Sequence, residues 1–162
     1  AAVLGIVHGP ATGVSYVAAK GLGSFRVDAS GWHRIHTAAL PVRGERPIRL
    51  TVSRRHGLEQ LRQFEQAISD NFGAVQSVPA GSAFKICAVA EGLADAYPRF
   101  GPTSEWDTAA AQVVLEEAGG HLLDKQGRPF CYNRRDTLLN AGFLAVGREP
   151  QRWLSYWPAQ PK

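Results

Sequence analysis

The chain has 162 residues, of which 44% are hydrophobic and 20% are charged, so its composition is that of a globular domain and excludes wholesale disorder and a collagen-like repeat. No apolar run approaches the roughly 20 residues of a membrane-spanning helix, and two cysteines build no disulfide framework, which makes a reducing cytoplasm the expected compartment. The net charge of +4 suits an anionic small molecule but falls far short of a nucleic-acid-binding stripe, so we expect no nucleic-acid partner.

The first 40 residues are predicted to form antiparallel strands. Glycine-containing turns separate short apolar runs that favour β-structure, and the predicted strands are 3–7, 14–18, 24–27 and 32–36. The following segment, 41–47, has no periodicity and is predicted to be a linker.

Strands and helices alternate from residue 48 onward, and this alternation predicts a layered α/β sheet over 48–147. Apolar residues at helical spacing predict an amphipathic helix between Leu58 and Ile68 that covers the sheet. Further helices are predicted at 82–92 and 104–118, strands or extended segments at 48–52, 74–78, 94–99 and 143–146, and a hairpin at 121–130. Residues 148–162 are predicted to be a tail.

Asp107 is the first candidate site residue, because it lies in the first turn of the helix predicted from Ser104. The spacing of these two residues is that of a capping box, in which each side chain binds the backbone of the other. The alternative is a metal ligand that points from the helix N-terminus into a cleft. One carboxylate does not hold magnesium tightly, since that ion takes several oxygen ligands, so other ligands would have to come from elsewhere.

Three basic residues are candidates for binding an anion. Lys85 lies one turn into the helix predicted from residue 82, where its ammonium and the first backbone N–H groups would converge on a phosphate; the alternative is a solvated surface lysine. Arg99 follows an extended run and would fork onto a phosphate or stack on a base, unless it is an ordinary surface arginine. His56 follows a strand, where open α/β sheets bind ligands, although a structural histidine is the alternative.

Several other polar residues receive structural interpretations. Cys87 is predicted to be a small core residue, and Cys131 has no histidine or acid at a zinc-ligand spacing. The pair Glu116-Glu117 is predicted to lie on a solvated helix face.

Two motifs carry a resemblance to a known family. Trp106-Asp107-Thr108-Ala109-Ala110, followed by Glu117-Ala118-Gly119-Gly120, resembles the C-terminal signature of the inositol monophosphatase family. The segments 81–85, 90–92 and 97–103 are similar to those of the CysQ-type 3'(2'),5'-bisphosphate nucleotidases, and the similarity extends from about Leu4 to Gly147.

The resemblance implies a layered α/β sandwich and a magnesium-dependent phosphatase. Such an enzyme hydrolyses the 3'-phosphate of adenosine 3',5'-bisphosphate, a by-product of sulfate activation, to AMP and phosphate. By the family pattern Asp107 would be a magnesium ligand, and the substrate would be bound by Ser82, Lys85, Arg99 and, more weakly, His56. The implied location is the cytoplasm, with peripheral attachment to the inner membrane as an alternative.

The sequence also departs from the family pattern. Ala111 stands where the family usually has glycine, from which we expect tighter packing, and Ala83 stands where a second serine is common. None of the six aspartates begins the Asp-Pro-x-Asp-Gly-Thr segment that, with a preceding glutamate, supplies most metal ligands in the family. We therefore expect the C-terminal half of such an enzyme, inactive by itself.

Two further expectations follow from that interpretation. Residues 1–40 would be strands of an incomplete N-terminal sheet, and their open edge would pair in a homodimer. The alternative functions are a non-catalytic nucleotide- or phosphate-binding module and an inositol or sugar phosphatase of the same family.

Overall fold

Four antiparallel strands open the chain in the structure, a computed structural model that describes residues 2–53, 57–134 and 136–158. They are β1 (Leu4–Gly9), β2 (Val14–Ala19), β3 (Gly23–Asp28) and β4 (Gly31–Arg34), and they form one sheet in that order, the N-terminal sheet. β1 is an outermost strand of this sheet, and its only strand partner in the described residues is β2. Gly13 and Gly31 have positive φ angles, which glycine adopts without steric cost in these tight turns.

Five later strands form a mixed central sheet, and two form a short separate pair. The central sheet has the order β6-β5-β7-β11-β9, with β5 parallel to β6 and β7 and with β11 antiparallel to β7 and β9. Its strands are β5 (Ile48–Leu50), β6 (Val75–Ser77), β7 (Ala96–Arg99), β9 (His121–Asp124) and β11 (Phe143–Val146). The separate antiparallel pair consists of β8 (Thr103–Ser104) and β10 (Leu139–Asn140).

In the described part of the chain, four helices pack on these sheets: α1 (Leu58–Phe72), α2 (Phe84–Ala90), α3 (Glu105–Glu117) and α4 (Pro150–Leu154). The buried residues of α1 recur every three or four positions, as expected of an amphipathic helix: Leu61, Phe64, Ile68 and Phe72. α2 is buried from Ile86 to Ala90, because it lies inside the protein. In the part of the chain that the structure describes, no helix has the length and apolar character that crossing a bilayer requires.

The strand β11 shows how the layers are arranged. Successive side chains of a strand point to opposite faces, so Phe143 and Ala145 pack into the core shared with α2 and α3. Leu144 and Val146 pack into a second core with α1 and with Trp153 of α4. The first core also contains Val7 and other residues of the N-terminal sheet, so the layers follow in the order N-terminal sheet, α2 and α3, central sheet, α1 and α4.

The predicted fold class, a layered α/β sandwich preceded by antiparallel strands, is confirmed. The pattern did not predict the two-residue strands β8 and β10 or the helix α4 in the predicted tail. α4 begins at Pro150 and buries Trp153, which is 2% exposed and stacks on Phe72 with a ring-centroid distance of 6.3 Å. The division of the chain at 41–47 stays a prediction.

The prediction of a solvated face at Glu116-Glu117 is wrong for the second residue. The carboxylate of Glu117 accepts hydrogen bonds from the backbone N–H groups of Gly21 and Gly23, both at 2.9 Å. It thereby satisfies two donors of the β2–β3 turn and attaches α3 to the N-terminal sheet. Glu116 is exposed, as predicted.

Candidate functional site

Four of the five candidate site residues predicted from the sequence lie at one cleft of about 190 Å³. Ser82, Lys85, Arg99 and Asp107 all line it, together with Ala83, Ile86, Tyr97, Thr103, Thr108 and Phe143. The fifth candidate, His56, lies outside the described residues, so its role stays a prediction. The cleft lies between α2, the end of β7 and the beginning of α3, elements that the first core holds together.

Lys85 reaches the cleft from the first turn of α2. Its Nζ lies 5.7 Å from the centroid of the Tyr97 ring, within the range of a cation–π contact. Ser82, just before the helix, has a φ of 44°, an uncommon conformation for a residue other than glycine. The segment around Ser82 therefore has a defined and unusual backbone where it borders the cleft.

Arg99 is already held by its own loop. Its Nε donates to Gly101 O at 3.2 Å and its Nη2 to Pro102 O at 3.0 Å, while its Nη1 donates to Ser53 Oγ at 2.7 Å. These bonds fix the turn that connects β7 to β8. Arg99 therefore has a structural role in addition to any contact with a ligand, which the sequence alone did not reveal.

Asp107 makes the capping interaction that its spacing predicted. The backbone N–H of Ser104, the N-cap residue of α3, donates to Asp107 Oδ2 at 2.8 Å. The carboxylate is thus fixed at the helix N-terminus, where the helix dipole favours a negative charge. Its role as a metal ligand stays a prediction.

Tyr97 is a residue of the cleft that the sequence analysis missed. Burial raises the pKa of its phenol, the nearby Arg99 opposes this effect and the charge of Asp107 adds to it. Tyr97 and Arg99 are two positions apart on β7, so they share one face of the strand. This alternation of side chains along a strand is the sequence signal that could have identified Tyr97 as a candidate site residue together with Arg99.

The described residues do not form a magnesium site by themselves. Within residues 2–53, 57–134 and 136–158, no group of three or more histidine, cysteine, aspartate and glutamate side chains is placed to hold a metal ion. The cleft offers one carboxylate, and one of its two oxygens already accepts the Ser104 N–H. A hard cation such as magnesium needs more oxygen ligands than this, so we derive no reaction step through a metal.

The two cysteines take no part in the cleft. Cys87 is buried in α2, as predicted, and burial together with the charge of Glu91 raises the pKa of its thiol. A thiol with a raised pKa stays protonated at neutral pH and is a poor nucleophile. Cys131 is exposed and is not one of the residues that line the cleft.

Comparison with known sequences gives a consistent result. The sequence model for the Inositol monophosphatase family matches residues 1–154. The 3'(2'),5'-bisphosphate nucleotidase CysQ of Escherichia coli (strain K12) is 39% identical over 141 residues, which are 87% of this chain and 53% of that relative. CysQ of Haemophilus influenzae is 33% identical over 153 residues, which are 94% of this chain and 55% of the relative. The chain thus spans about half the length of the curated relatives it matches.

Solved structures show the same fold. CysQ from Bacteroides thetaiotaomicron, described as a bacterial member of the inositol monophosphatase family, superimposes with a TM-score of 0.76 at 29% identity. That match covers 91% of this chain and 58% of the other chain. The IMPase of Thermotoga maritima superimposes with a TM-score of 0.72 at 21% identity over 94% of this chain and 54% of the other, which shows the fold alone.

Proposed function

Because the chain belongs to the inositol monophosphatase family, we propose that it carries part of the active site of a phosphatase that converts adenosine 3',5'-bisphosphate to AMP and inorganic phosphate. In this reaction a water oxygen bonds to the 3'-phosphorus, the bond from phosphorus to the ribose oxygen breaks, and that oxygen takes up a proton. The names of the CysQ relatives support the substrate. The observation that carries the proposal is the convergence of Ser82, Lys85, Arg99 and Asp107 on one cleft.

The chemistry of the cleft suits a phosphorylated nucleoside. Lys85 and Arg99 supply two positive charges, and a charge-assisted hydrogen bond to a phosphate oxygen contributes roughly 1.5–3 kcal/mol. Tyr97 and Phe143 line the same cleft but are only 5% and 1% exposed, so their rings form its apolar floor. A nucleotide with two phosphate groups uses both positive charges, whereas a simple phosphate ester has one phosphate group to bind.

We propose that Asp107 supplies one oxygen to a magnesium site whose other ligands come from polypeptide corresponding to the part of the relatives that this chain does not match. We assign the other magnesium ligands to that polypeptide because the cleft contains a single carboxylate. The 162-residue chain alone is then expected to bind magnesium no more tightly than millimolar and to release no phosphate. We further propose a cytoplasmic location, in keeping with the two free cysteines.

We also propose that the chain forms a homodimer through β1. Leu4 and Ile6 on this outermost strand are 60% and 55% exposed, and the backbone groups along its outer edge have no strand partner in the described residues. An unpaired edge with apolar side chains is a template for pairing with another chain. A symmetric dimer in which two β1 strands pair is the simplest such arrangement.

Two measurements on the purified chain test the enzymatic proposal. Calorimetric titration with adenosine 3',5'-bisphosphate and Mg²⁺ should detect binding, and phosphate release should be absent. The second measurement adds the separately expressed N-terminal half of the Escherichia coli relative, and phosphate release should then appear. Absence of both binding and complemented turnover contradicts the proposal.

The alternative functions give different results in the same assays. A non-catalytic nucleotide-binding module would bind the nucleotide but release no phosphate after complementation. An inositol or sugar phosphatase would release phosphate from inositol 1-phosphate at least as efficiently as from the nucleotide. By the resemblance, Lys85 and Arg99 would match the nucleotide-binding positions of the CysQ type, which favours the nucleotide.

A further inference from the structure

We propose that Asn140 is a positioning residue that fixes the beginning of α3 and thereby the orientation of Asp107. The proposal rests on the function proposed above for the cleft, and it concerns a residue that does not line the cleft itself. Asn140 lies on β10 and is only 2% exposed. A buried amide next to a candidate site calls for a physical explanation, since its polar atoms have lost their contact with water.

The side-chain amide of Asn140 connects two consecutive elements. Its Nδ2 donates to Ser104 O at 3.0 Å and to Thr108 Oγ1 at 3.1 Å, and Thr103 Oγ1 lies at 3.3 Å. Ser104 is the N-cap residue of α3, and Thr108 lies one turn into the helix. The amide therefore bridges the end of β8 and the first turn of α3.

Asp107 lies between these two contacts. The residue whose carbonyl accepts from Asn140, Ser104, is also the residue whose N–H donates to Asp107 Oδ2 at 2.8 Å. The other acceptor, Thr108, directly follows Asp107, and its hydroxyl donates to Glu105 O at 3.2 Å. If Asn140 is removed, Ser104, which donates to the carboxylate, and Thr108, which follows Asp107 in the helix, each lose a contact.

The orientation of the Asn140 side-chain amide shows that the group acts as a hydrogen-bond donor. A carbonyl oxygen such as Ser104 O only accepts, so it requires the NH₂ group of Asn140 on its side. Asn140 Oδ1 is then buried without a hydrogen-bond partner among the described residues. An unpaired buried acceptor is unfavourable, and a leucine, which has the same branched side-chain shape and no polar atoms, would avoid it. The Asn140 side chain therefore leaves its oxygen unpaired and directs its two N–H donors at the beginning of α3.

A hydrogen-exchange experiment on the 162-residue chain tests the positioning role without any ligand. In Asn140→Ala the Ser104 amide should exchange on the order of tenfold faster and shift in the NMR spectrum, because losing a hydrogen bond of ordinary strength changes an equilibrium by about that factor. The core amides of α1 should keep their rates. Equal acceleration of Ser104 and α1 amides, or an unchanged Ser104 amide, overturns the proposal.

Substitutions of Thr108 keep the test decisive if Asn140→Ala does not fold. Thr108→Val removes the acceptor at constant shape and should accelerate Ser104 exchange, whereas Thr108→Ser keeps the hydroxyl and should restore the wild-type rate. Asn71→Ala is the matched control, because the Asn71 amide donates only to Ala67 O on the exposed side of α1. Identical spectra of the Val and Ser variants around Ser104 contradict the proposal.

Nucleotide titration separates this inference from the proposed function. In the presence of Mg²⁺, Asn140→Ala should weaken the binding of adenosine 3',5'-bisphosphate several-fold, while Asn71→Ala should not change it. If the wild-type chain binds no nucleotide and releases no phosphate after complementation, the proposed function fails, and the exchange of the Ser104 amide still decides whether Asn140 positions Asp107. If the wild type binds and both variants bind equally well, the positioning role is wrong.

Discussion

Tyr16 donates a 2.5 Å hydrogen bond to Oε2 of Glu91 and so connects the N-terminal sheet to the end of α2. Its ring also packs edge-on against Phe84, at the start of the same helix, with centroids 5.7 Å apart. One side chain therefore contacts both ends of the helix that carries Lys85. Burial, and then the hydrogen bond and charge of Glu91, raise the pKa of Tyr16, so the phenol remains a donor at neutral pH.

Removal of this hydroxyl is expected to destabilise the chain. Tyr16→Phe keeps the contact with Phe84 but removes the phenol donor to Oε2 of Glu91, whose Oε1 still lies 3.5 Å from Arg26 Nε, and a hydrogen bond to a charged group contributes about 2 kcal/mol. Urea unfolding should show that loss. Tyr156→Phe is the control, since the Tyr156 ring packs on Phe72 and its hydroxyl makes no hydrogen bond with the described residues. Equal effects of the two substitutions would contradict the prediction.

The comparison of sequence and structure separates local from distant relationships. The amphipathic pattern of α1 and the capping spacing of Ser104 and Asp107 lie within a few residues of each other, so the sequence predicted them. The bond between Tyr16 and Glu91 joins residues 75 positions apart, and no periodicity encodes such a pair.

The missed features of the fold and of the candidate site have the same origin. β8 and β10 have two residues each, too few to produce an alternating pattern, and their pairing depends on residues far apart in the chain. Asn140 acquires its contacts only through that pairing. Glu117 accepts a hydrogen bond from a turn residue 94 positions away in the chain. Its local sequence therefore does not distinguish it from a solvated glutamate.

A second prediction concerns acid stability and Asp95. This buried carboxylate accepts two hydrogen bonds from the Arg46 guanidinium, at 2.7 and 2.8 Å, and three from Arg49, at 2.8 Å from its backbone N–H, 3.0 Å from Nη2 and 3.4 Å from Nε. Burial alone would raise the pKa of Asp95, but the bonds from both arginines hold it below its usual value. A lowered pKa contributes stability that is present above the unfolded value of about 3.9 and is lost as the pH falls through the folded value.

The variant Asp95→Asn should therefore be less stable than the wild type at pH 7, by roughly 3 kcal/mol, because it leaves two arginines without their counter-charge. The difference in unfolding free energy between the two proteins should begin to narrow below about pH 4, where unfolded Asp95 takes up a proton, and should disappear as the pH falls through the lowered pKa of folded Asp95. Urea unfolding between pH 2.5 and pH 7 measures both effects. Asp70→Asn, at an exposed position of α1, should keep the acid sensitivity of the wild type. A difference in unfolding free energy between the wild type and Asp95→Asn that stays constant across this pH range would be inconsistent with the prediction.

A third prediction separates the capping role of Asp107 from its charge. Asn keeps a side-chain oxygen that accepts the Ser104 N–H, so Asp107→Asn should change the free energy of unfolding by less than about 0.5 kcal/mol. Asp107→Ala removes the acceptor and should cost about 1 kcal/mol. In the assay complemented with the N-terminal half of the relative, Asp107→Asn should release little phosphate at low magnesium, since a neutral amide is a poor ligand for that ion. Normal phosphate release by Asp107→Asn would contradict the role as a magnesium ligand and leave Asp107 with the capping role alone.

A fourth prediction distinguishes Lys85 from Arg99. Lys85→Ala removes a charge at the cleft and leaves the three hydrogen bonds of Arg99 in place, so it should weaken nucleotide binding about tenfold with little change in melting temperature. Arg99→Ala also removes the three bonds to Ser53, Gly101 and Pro102, so it should lower the melting temperature by several degrees as well. Calorimetric titration and thermal unfolding of both variants provide the comparison. If Arg99→Ala melts like the wild type, the turn does not depend on Arg99.

The last prediction concerns the proposed pairing of β1 strands. In an antiparallel pair of identical strands related by a two-fold axis, a residue near the strand centre faces its own copy or a close neighbour. Ile6 is such a residue and is 55% exposed, so Ile6→Glu would bring two like charges together and should shift the chain from dimer to monomer. Leu58→Glu is the matched control, because Leu58 is 50% exposed in the first turn of α1, in the layer farthest from the N-terminal sheet. Sedimentation velocity over a range of concentrations should show a dimer for the wild type and for Leu58→Glu and a monomer for Ile6→Glu. A wild-type chain that is monomeric at every concentration, or two variants that behave alike, would show that β1 does not pair with a second copy.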